Sequence, residues 1–295
     1  MSLLIAGTIC FDTIETPTGR IDRVLGGSGA FAAVAASLLA QPRLIGAVGN
    51  DFTSEARETL ASRGIDLSGV QTLSQVRTQF WHGRYHPGLH TRDHIAVDLD
   101  ILDQMDLVVP LESQESSHVF LAHMPPHHQN RVLDQLFNPR MVFADTIDHW
   151  ITTRRAEVTR LFTRVSGVVL NDGEAELLTG ERNPMRAAKA IGQLGPKVVI
   201  VKKGEHGVLV HTENQFIALP AFPTEAVIDP TGAGDTFAGA FIASQAMGKS
   251  FARSVADGIV AASFTVEGFG LTRLLATTQT DIEKRFARYQ EMLRV

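Results

Sequence analysis

The chain has 295 residues, 44% of them apolar, which is enough for a sizeable core in one large domain or two small ones. Its formal net charge of −5 argues against nucleic acid as the main partner, yet leaves room for a local phosphate site, which a few backbone N–H groups can form. A single cysteine, Cys10, excludes an internal disulfide; with no apolar run near the roughly 18 residues of a membrane span and no basic leader at the start, a cytoplasmic protein with no membrane partner is expected.

Short apolar runs alternate with helical patterns along the chain. The runs at 3–6, 43–48, 118–122, 141–144, 167–170 and 197–201 predict strands, and 29–39, 54–63, 129–135, 154–162 and 185–194 predict helices. Buried apolar strands interleaved with helices imply an α/β fold with a mostly parallel sheet covered on both faces. Ligands of such sheets collect at the carboxyl ends of the strands. Residues 12–25 and about 76–100 break the rhythm: they are polar, lack a helical period and alternate in part, as at Thr78, Phe80, His82 and Arg84. They read as strands outside the main sheet. No linker, repeat or second complete domain is visible, so 1–295 is expected to form a single domain.

Several residues along this frame can carry chemistry. Asp12 follows the first strand and by itself reads as a turn or cap carboxylate. Gly26-Gly27-Ser28-Gly29-Ala30-Phe31 opens an alanine-rich helix, where the glycines by themselves read as tight helix packing. Asp51, in Val48-Gly49-Asn50-Asp51-Phe52, reads as a loop tether. His82, His86, His90 and His94 are spaced by four, but Gly83, Pro87 and Gly88 argue against the helix that would gather them around a metal. His123, His127 and His128 surround Pro125-Pro126 and read as a loop. Trp81, Arg84, Tyr85 and His86 either face an acceptor pocket or scatter over the surface. Asn171 and Glu174, three apart at a helix start, form a capping-box pattern and also supply hard oxygens suited to Mg²⁺. Lys202 ends a strand before the turn Gly204–Gly207; it could meet phosphates as a point charge or sit solvated at the sheet end.

The most informative string is Asp229-Pro230-Thr231-Gly232-Ala233-Gly234-Asp235-Thr236-Phe237, which runs on into an apolar helix. Gly232 and Gly234 let the backbone approach a ligand, and the free N–H groups of the helix start form an anion cradle. The Asp235 carboxylate can take a proton from an attacking hydroxyl. An anion cradle beside a base suits phosphoryl transfer to an alcohol.

This string resembles the second signature of the ribokinase-like (PfkB) carbohydrate kinases, and the likeness extends from the first strand to Gly270. The resemblance implies a three-layer sandwich with a mostly parallel central sheet, and a small β lid over the acceptor made from 12–25 and 76–100. It implies ATP-dependent transfer to a hydroxyl of a sugar or sugar-like alcohol. Asp235 is then the catalytic base, with Gly232, Ala233 and Gly234 as the anion hole. Asp12, Gly26, Gly27 and Phe31 fall at the acceptor, although the family usually has Asn where Phe31 stands. Asn171, Glu174, Lys202, Gly204 and Gly207 fall at the nucleotide, with Mg²⁺ held through water near Asn171 and Glu174. A monovalent cation, K⁺, is implied at Asp229 and Thr231. Residues 81–86 and the run Asp145-Thr146-Ile147-Asp148 strengthen a likeness to bacterial sugar kinases. Two alternatives stay open: a nucleoside kinase, with Phe31, Trp81 or Tyr85 stacking on a base, and a non-catalytic sugar-binding regulator on the same fold. An exposed edge of the lid sheet favours a homodimer.

Overall fold

Among residues 2–213 and 215–294, which the computed structural model describes, thirteen strands form two sheets. The large sheet has nine: β1 (Leu3–Ala6), β4 (Pro42–Gly49), β5 (Asp66–Leu73), β8 (His118–Leu121), β9 (Met141–Asp145), β10 (Gly167–Asn171), β11 (Val198–Lys202), β12 (Val208–Thr212) and β13 (Phe216–Leu219). Their order is β13-β12-β11-β10-β9-β8-β1-β4-β5. Every pair from β11 to β5 is parallel, and only β11/β12 and β12/β13 are antiparallel.

Helices cover both faces and make the three layers. On one face the helices Ser28–Ser37, Ala233–Ala246, Phe251–Thr265 and Gln279–Leu293 bury Phe31, Phe241 and Tyr289 against Ile5, Phe120 and Phe143. On the other, the helices Pro126–Asp134, Arg155–Phe162, Asp172–Thr179 and Pro184–Gly192 bury Val132, Phe162 and Ile191 against Leu4, Val119 and Val168. Each such side chain removed from water contributes about 1.5–3 kcal/mol. The helices Ser28–Ser37 and Ala233–Ala246 are apolar almost all round, as helices inside a layer must be. They pack backbone to backbone: a Cβ on Gly239 would fall 2.1 Å from the Ala32 carbonyl oxygen. That close approach carries the start of one helix to the start of the other.

The small sheet contains β2 (Cys10–Thr16), β3 (Gly19–Gly26), β6 (Gln79–Tyr85) and β7 (Arg92–Asp98), in the order β3-β2-β6-β7. These are the strands expected outside the main sheet. Asp12 pairs with Trp81 in parallel register, and Tyr85 with Arg92 in antiparallel register. Alternation along the strands therefore places Asp12, Trp81, Tyr85 and Arg92 on one face. Glu15, His82 and Arg84 lie on the opposite face, where Glu15 accepts from Arg20 (2.7 Å), Arg84 (2.6 Å) and His82 (2.9 Å). The edge strand β7 exposes Ile95 and Val97.

The expected strands and helices appear within a few residues of their predicted ends. The histidine loop is a correction: His127 and His128 lie in the helix Pro126–Asp134, which Pro126 opens at its first turn, where a missing N–H costs nothing. His128 donates from Nε2 to the Leu102 carbonyl at 2.8 Å. The edge strands β5 and β13, the strand β12 next to β13, and the last two long helices were not anticipated.

Candidate active site

The cradle lies where the Ala233–Ala246 helix begins. Gly232 is its N-cap, with φ of 73°, a left-handed angle that favours glycine. A Cβ there would also strike the Phe31 ring at 2.4 Å. The N–H groups of Gly232 and Gly234 meet no acceptor among the described residues, and that of Asp235 faces its own carboxylate. Ala233 differs from expectation: its N–H donates to the Pro230 carbonyl at 3.2 Å, so it closes the turn rather than joining the cradle. Asp235 is half-buried at the helix's first turn. Burial pushes its carboxyl up to about 6, against the pull of Lys202 and Arg92. It is a better base at neutral pH than an ordinary aspartate.

Lys202, at the carboxyl end of β11, reaches this cradle. A Cβ on Gly234 would lie 2.8 Å from its Nζ. The ammonium donates to Asp145 Oδ2 at 3.1 Å, and Asp145 ends β9, two strands along the sheet beyond β10. Burial works against the Lys202 charge, but Asp145, Glu174 and Asp235 outweigh it and hold its pKa above the ordinary value. Three carboxylates share this one ammonium. Burial therefore still raises Asp145, reinforced by Asp235, and lifts Glu174 to about 8 with Asp145 adding to it. The solvated reading of Lys202 is thus excluded. Asp145, noted in the sequence only for its spacing, emerges as part of the centre, because β9 and β11 bring residues 57 apart into contact.

Asn171 and Glu174 form a reciprocal cap: the Glu174 N–H donates to Asn171 Oδ1 and the Asn171 N–H to Glu174 Oε2, both at 2.7 Å. The Asn171 oxygen is engaged, so the pair is not a ready-made metal cage. No three His, Cys, Asp or Glu side chains among the described residues converge to hold a metal ion. The residues nevertheless fit Mg²⁺ brought in with phosphates and water: the donors are hard oxygens, and buried carboxylates outnumber the cations facing them. Gly204 and Gly207 have φ of 54° and 79° around a single 3₁₀ turn after Lys203. Space is open beside Gly204, whereas Gly207 abuts the Leu219 carbonyl.

At the acceptor end, Asp12 is buried, and its Oδ1 accepts from the Cys10 thiol at 2.9 Å. Gly26 makes room for this carboxylate, since a Cβ there would fall 1.9 Å from Oδ2. Gly27 instead packs on the Thr8 carbonyl. Burial, aided by Asp229 and Asp235, lifts Asp12 to about 7. Phe31 is corrected: it is only 1% exposed and forms the floor beneath Gly232, so it presents no stacking surface to an acceptor. Of the four lid residues singled out, Trp81 and Tyr85 lie on the inner face, while Arg84 binds Glu15 and His86 binds Asp93. The Thr231 hydroxyl donates to the Tyr85 hydroxyl at 3.0 Å, tying lid to cradle. His123, just past β8, was read as a loop residue; it carries an unpartnered buried Nδ1, and burial depresses its pKa to about 4. Asp229 is fully buried and accepts from the N–H groups of Thr231 and Gly270, both at 2.8 Å. It anchors the loop that feeds the cradle. A separate groove between Leu99, Pro125, His127, His149 and Trp150, of about 390 Å³, lies outside this cluster.

Comparison with known proteins gives the family. The model of the pfkB family carbohydrate kinases matches residues 6–278. A cytidine kinase of Thermococcus kodakarensis is 31% identical over 276 residues, covering 92% of this chain and 98% of that protein. A ribokinase of Haemophilus influenzae is 26% identical, covering 91% and 90%. Among solved structures, a provisionally named ribokinase II from E. coli in complex with ATP and Mg²⁺ superposes with a TM-score of 0.78 at 21% identity, covering 97% of this chain and 99% of that one.

Proposed function

The chain belongs to the pfkB family of carbohydrate kinases, and from that premise we propose that it passes the γ-phosphoryl group of ATP to a hydroxyl of a nucleoside. Transfer to a sugar or nucleoside is the activity its relatives carry in their names. The observation that carries the reading is the raised Asp235 carboxyl beside the unpartnered N–H groups of Gly232 and Gly234 and the Lys202 ammonium. The nucleoside is favoured over a free sugar by the 31% identity to a cytidine kinase and by Trp81 on the lid face above Asp12. An indole offers a base a stacking surface worth about 1–3 kcal/mol.

In this reading Asp12 accepts hydrogen bonds from the ribose-like hydroxyls and His123 lines the same pocket. Asp235 orients the reacting hydroxyl and takes its proton as the acceptor oxygen bonds to phosphorus. The bond from phosphorus to the β,γ-bridging oxygen breaks, and its electron pair leaves with ADP. The N–H groups of Gly232 and Gly234 stabilise charge on the moving group, and Lys202 holds the phosphates from the other side. Glu174 and Asp145 are the residues that would hold Mg²⁺ through water, and the ion supplies neutralisation of the triphosphate charge. The lid sheet keeps water away from the transfer.

Three narrower readings accompany this. Asp229, a buried carboxylate whose described partners are neutral N–H groups, supports a K⁺ site with Thr231, testable by replacing K⁺ with Na⁺ in the assay. The exposed edge of β7 supports a homodimer through the lid, testable by light scattering. A single free cysteine and the reading as an ATP-dependent enzyme support a cytoplasmic location.

The deciding experiment is ADP release measured across cytidine, uridine, inosine, adenosine, ribose and fructose. Turnover with a nucleoside well above that with ribose supports the proposal. Turnover with free sugars alone overturns the nucleoside assignment. Ligand binding without ADP release would instead support a non-catalytic regulator.

A further inference from the structure

The groove that lies apart from the active centre carries chemistry of its own. It is bounded by the helices Asp100–Gln104, Pro126–Asp134 and Asp148–Thr153 and the start of Arg155–Phe162, and its volume of about 390 Å³ is room for a small ring compound. Asp12, Asp145, Lys202 and Asp235 are not among its walls. Leu99 and Leu102 line it with apolar surface, and His127 and Trp150 with aromatic surface. Two of its side chains hold a buried polar atom that meets no partner among the described residues: Trp150 Nε1, a donor, and Glu157 Oε2, an acceptor. Trp150 itself is only 8% exposed. The other Glu157 oxygen accepts from Arg154 at 3.1 Å. His127 does not complete the set: its Nδ1 stands 3.9 Å from Glu157 Oε2, beyond hydrogen-bond reach. Burial, helped by the Arg154 charge, holds this imidazole below its ordinary pKa against the pull of Glu157. Buried donors and acceptors are nearly always paired in folded proteins. A donor and an acceptor left over in the wall of one cavity mark a place for a ligand that supplies both.

We propose that this groove is a second, non-catalytic ligand site that takes a nucleobase, alone or carried by a nucleoside or nucleotide, and that its occupant braces the lid. A base is flat and presents a donor beside an acceptor on its edge, as the amino group and ring nitrogen of cytosine and adenine do. The amino group donates to Glu157 Oε2, and the ring nitrogen accepts from Trp150 Nε1. The faces of the base suit walls of imidazole, indole and leucine. A free sugar matches the polar atoms but not this apolar and aromatic surface. Arg154, exposed at the rim, adds a cation for the phosphate of a nucleotide. The groove also adjoins the foot of the lid. β7 ends at Asp98, and Leu99 leads directly into the helix Asp100–Gln104, whose Leu102 carbonyl accepts from His128 Nε2 at 2.8 Å. A base held between this helix and Trp150 steadies the chain that carries β7, so occupation of the groove alters lid movement and with it turnover. The binding stands on the groove alone, while the effect on turnover rests on the kinase reading above.

The chain's two tryptophans are Trp81 and Trp150, so Trp81→Phe leaves Trp150 as the sole indole reporter. That protein is titrated without ATP with cytosine, cytidine, CMP, adenine and AMP, and with ribose as the control that lacks a base, while Trp150 fluorescence is followed. Saturable quenching by the base-bearing probes and none by ribose is expected. Glu157→Ala in the same background should weaken binding by about 10-fold or more, the scale of a hydrogen bond to a charged group, at an unchanged melting temperature. Calorimetry on Trp150→Phe, which keeps a ring without the N–H, should show weaker cytosine binding as well. Asp12→Ala, which removes the acceptor's ligand, should leave the quenching in place. Tighter binding of CMP or AMP than of the free base identifies a nucleotide as the occupant, and equal binding identifies the base alone. In the wild type, saturating cytosine should change kcat even at saturating acceptor. Absence of quenching at millimolar probe overturns the site, as does quenching that survives Glu157→Ala unchanged. Quenching lost in Asp12→Ala would put the probes in the acceptor pocket and overturn it too. An unchanged kcat overturns the brace on the lid. Failure of every nucleoside as an acceptor would refute the function proposed above and leave the quenching, which needs no ATP, as it stands.

Discussion

Asp235→Asn should trade activity for stability, and the structure supplies the size of both effects. Burial lifts the folded-state carboxyl from 3.8 to about 6. At about 1.4 kcal/mol per tenfold change in acid strength, the ionised Asp235 costs the fold about 3 kcal/mol at pH 8. The direction follows from proton uptake. Below pH 4 the group is protonated in both states and costs nothing. Between pH 4 and 6 the unfolded chain ionises first, so folding stability falls as pH rises. Above pH 6 the loss is complete. Asparagine resembles the protonated form at every pH. The variant should therefore match the wild type near pH 3.5 and exceed it by about 3 kcal/mol at pH 8, a rise of about 5 °C in melting temperature. Relief at Asp12 and Asp145, which Asp235 also pushes upward, acts in the same direction. Turnover should fall by roughly 10² or more with the proton acceptor gone, while ATP affinity changes little. Paired urea titrations at the two pH values and a coupled ADP-release assay read both effects. A variant no more stable than the wild type at pH 8, or one that retains its turnover, would refute the reasoning.

Two further substitutions probe the cradle from other sides. Gly232→Ala must hold a φ of 73° with a side chain and drive a methyl to 2.4 Å from the buried Phe31 ring. Left-handed strain of about 1–2 kcal/mol and overpacking of about 1–3 kcal/mol together predict about 2–5 kcal/mol of lost stability by urea denaturation. A loss near zero would mean that the Phe31 floor yields. Lys202→Met leaves Asp145 buried without its partner and should cost about 3–5 kcal/mol, with weaker nucleotide binding by calorimetry. Adding Asp145→Asn should restore stability but not nucleotide affinity; recovery of both would make the ion pair purely structural.

Local signals explain what was legible in the chain. The apolar runs at 3–6, 167–170 and 197–201 announce β1, β10 and β11, because a strand buried on both faces must be apolar throughout. The 229–241 string announces the cradle, because only a narrow set of residues can turn a left-handed glycine into a helix start. The edge strands β5 and β13 and the helix Gln279–Leu293 were harder, since half-exposed elements mix polar and apolar residues. Phe31 looked like a pocket wall from its place in the glycine-rich opening, but burial is a property of the packed layers and not of neighbours in sequence.

By itself, then, the order of residues determined the alternation of strands and helices, the separate small sheet, and the phosphate-binding turn with its adjoining base. All of these depend on contacts within a few residues, through backbone angles, periodicity and helix ends. The tertiary structure alone decided which distant groups share the cleft: Lys202 with Asp145 and Glu174, Asp12 with Cys10, Tyr85 with Thr231, and Arg92 over Trp81. Sheet register and helix packing bring these groups together, and their mutual burial and charge set the acidities on which the transfer depends.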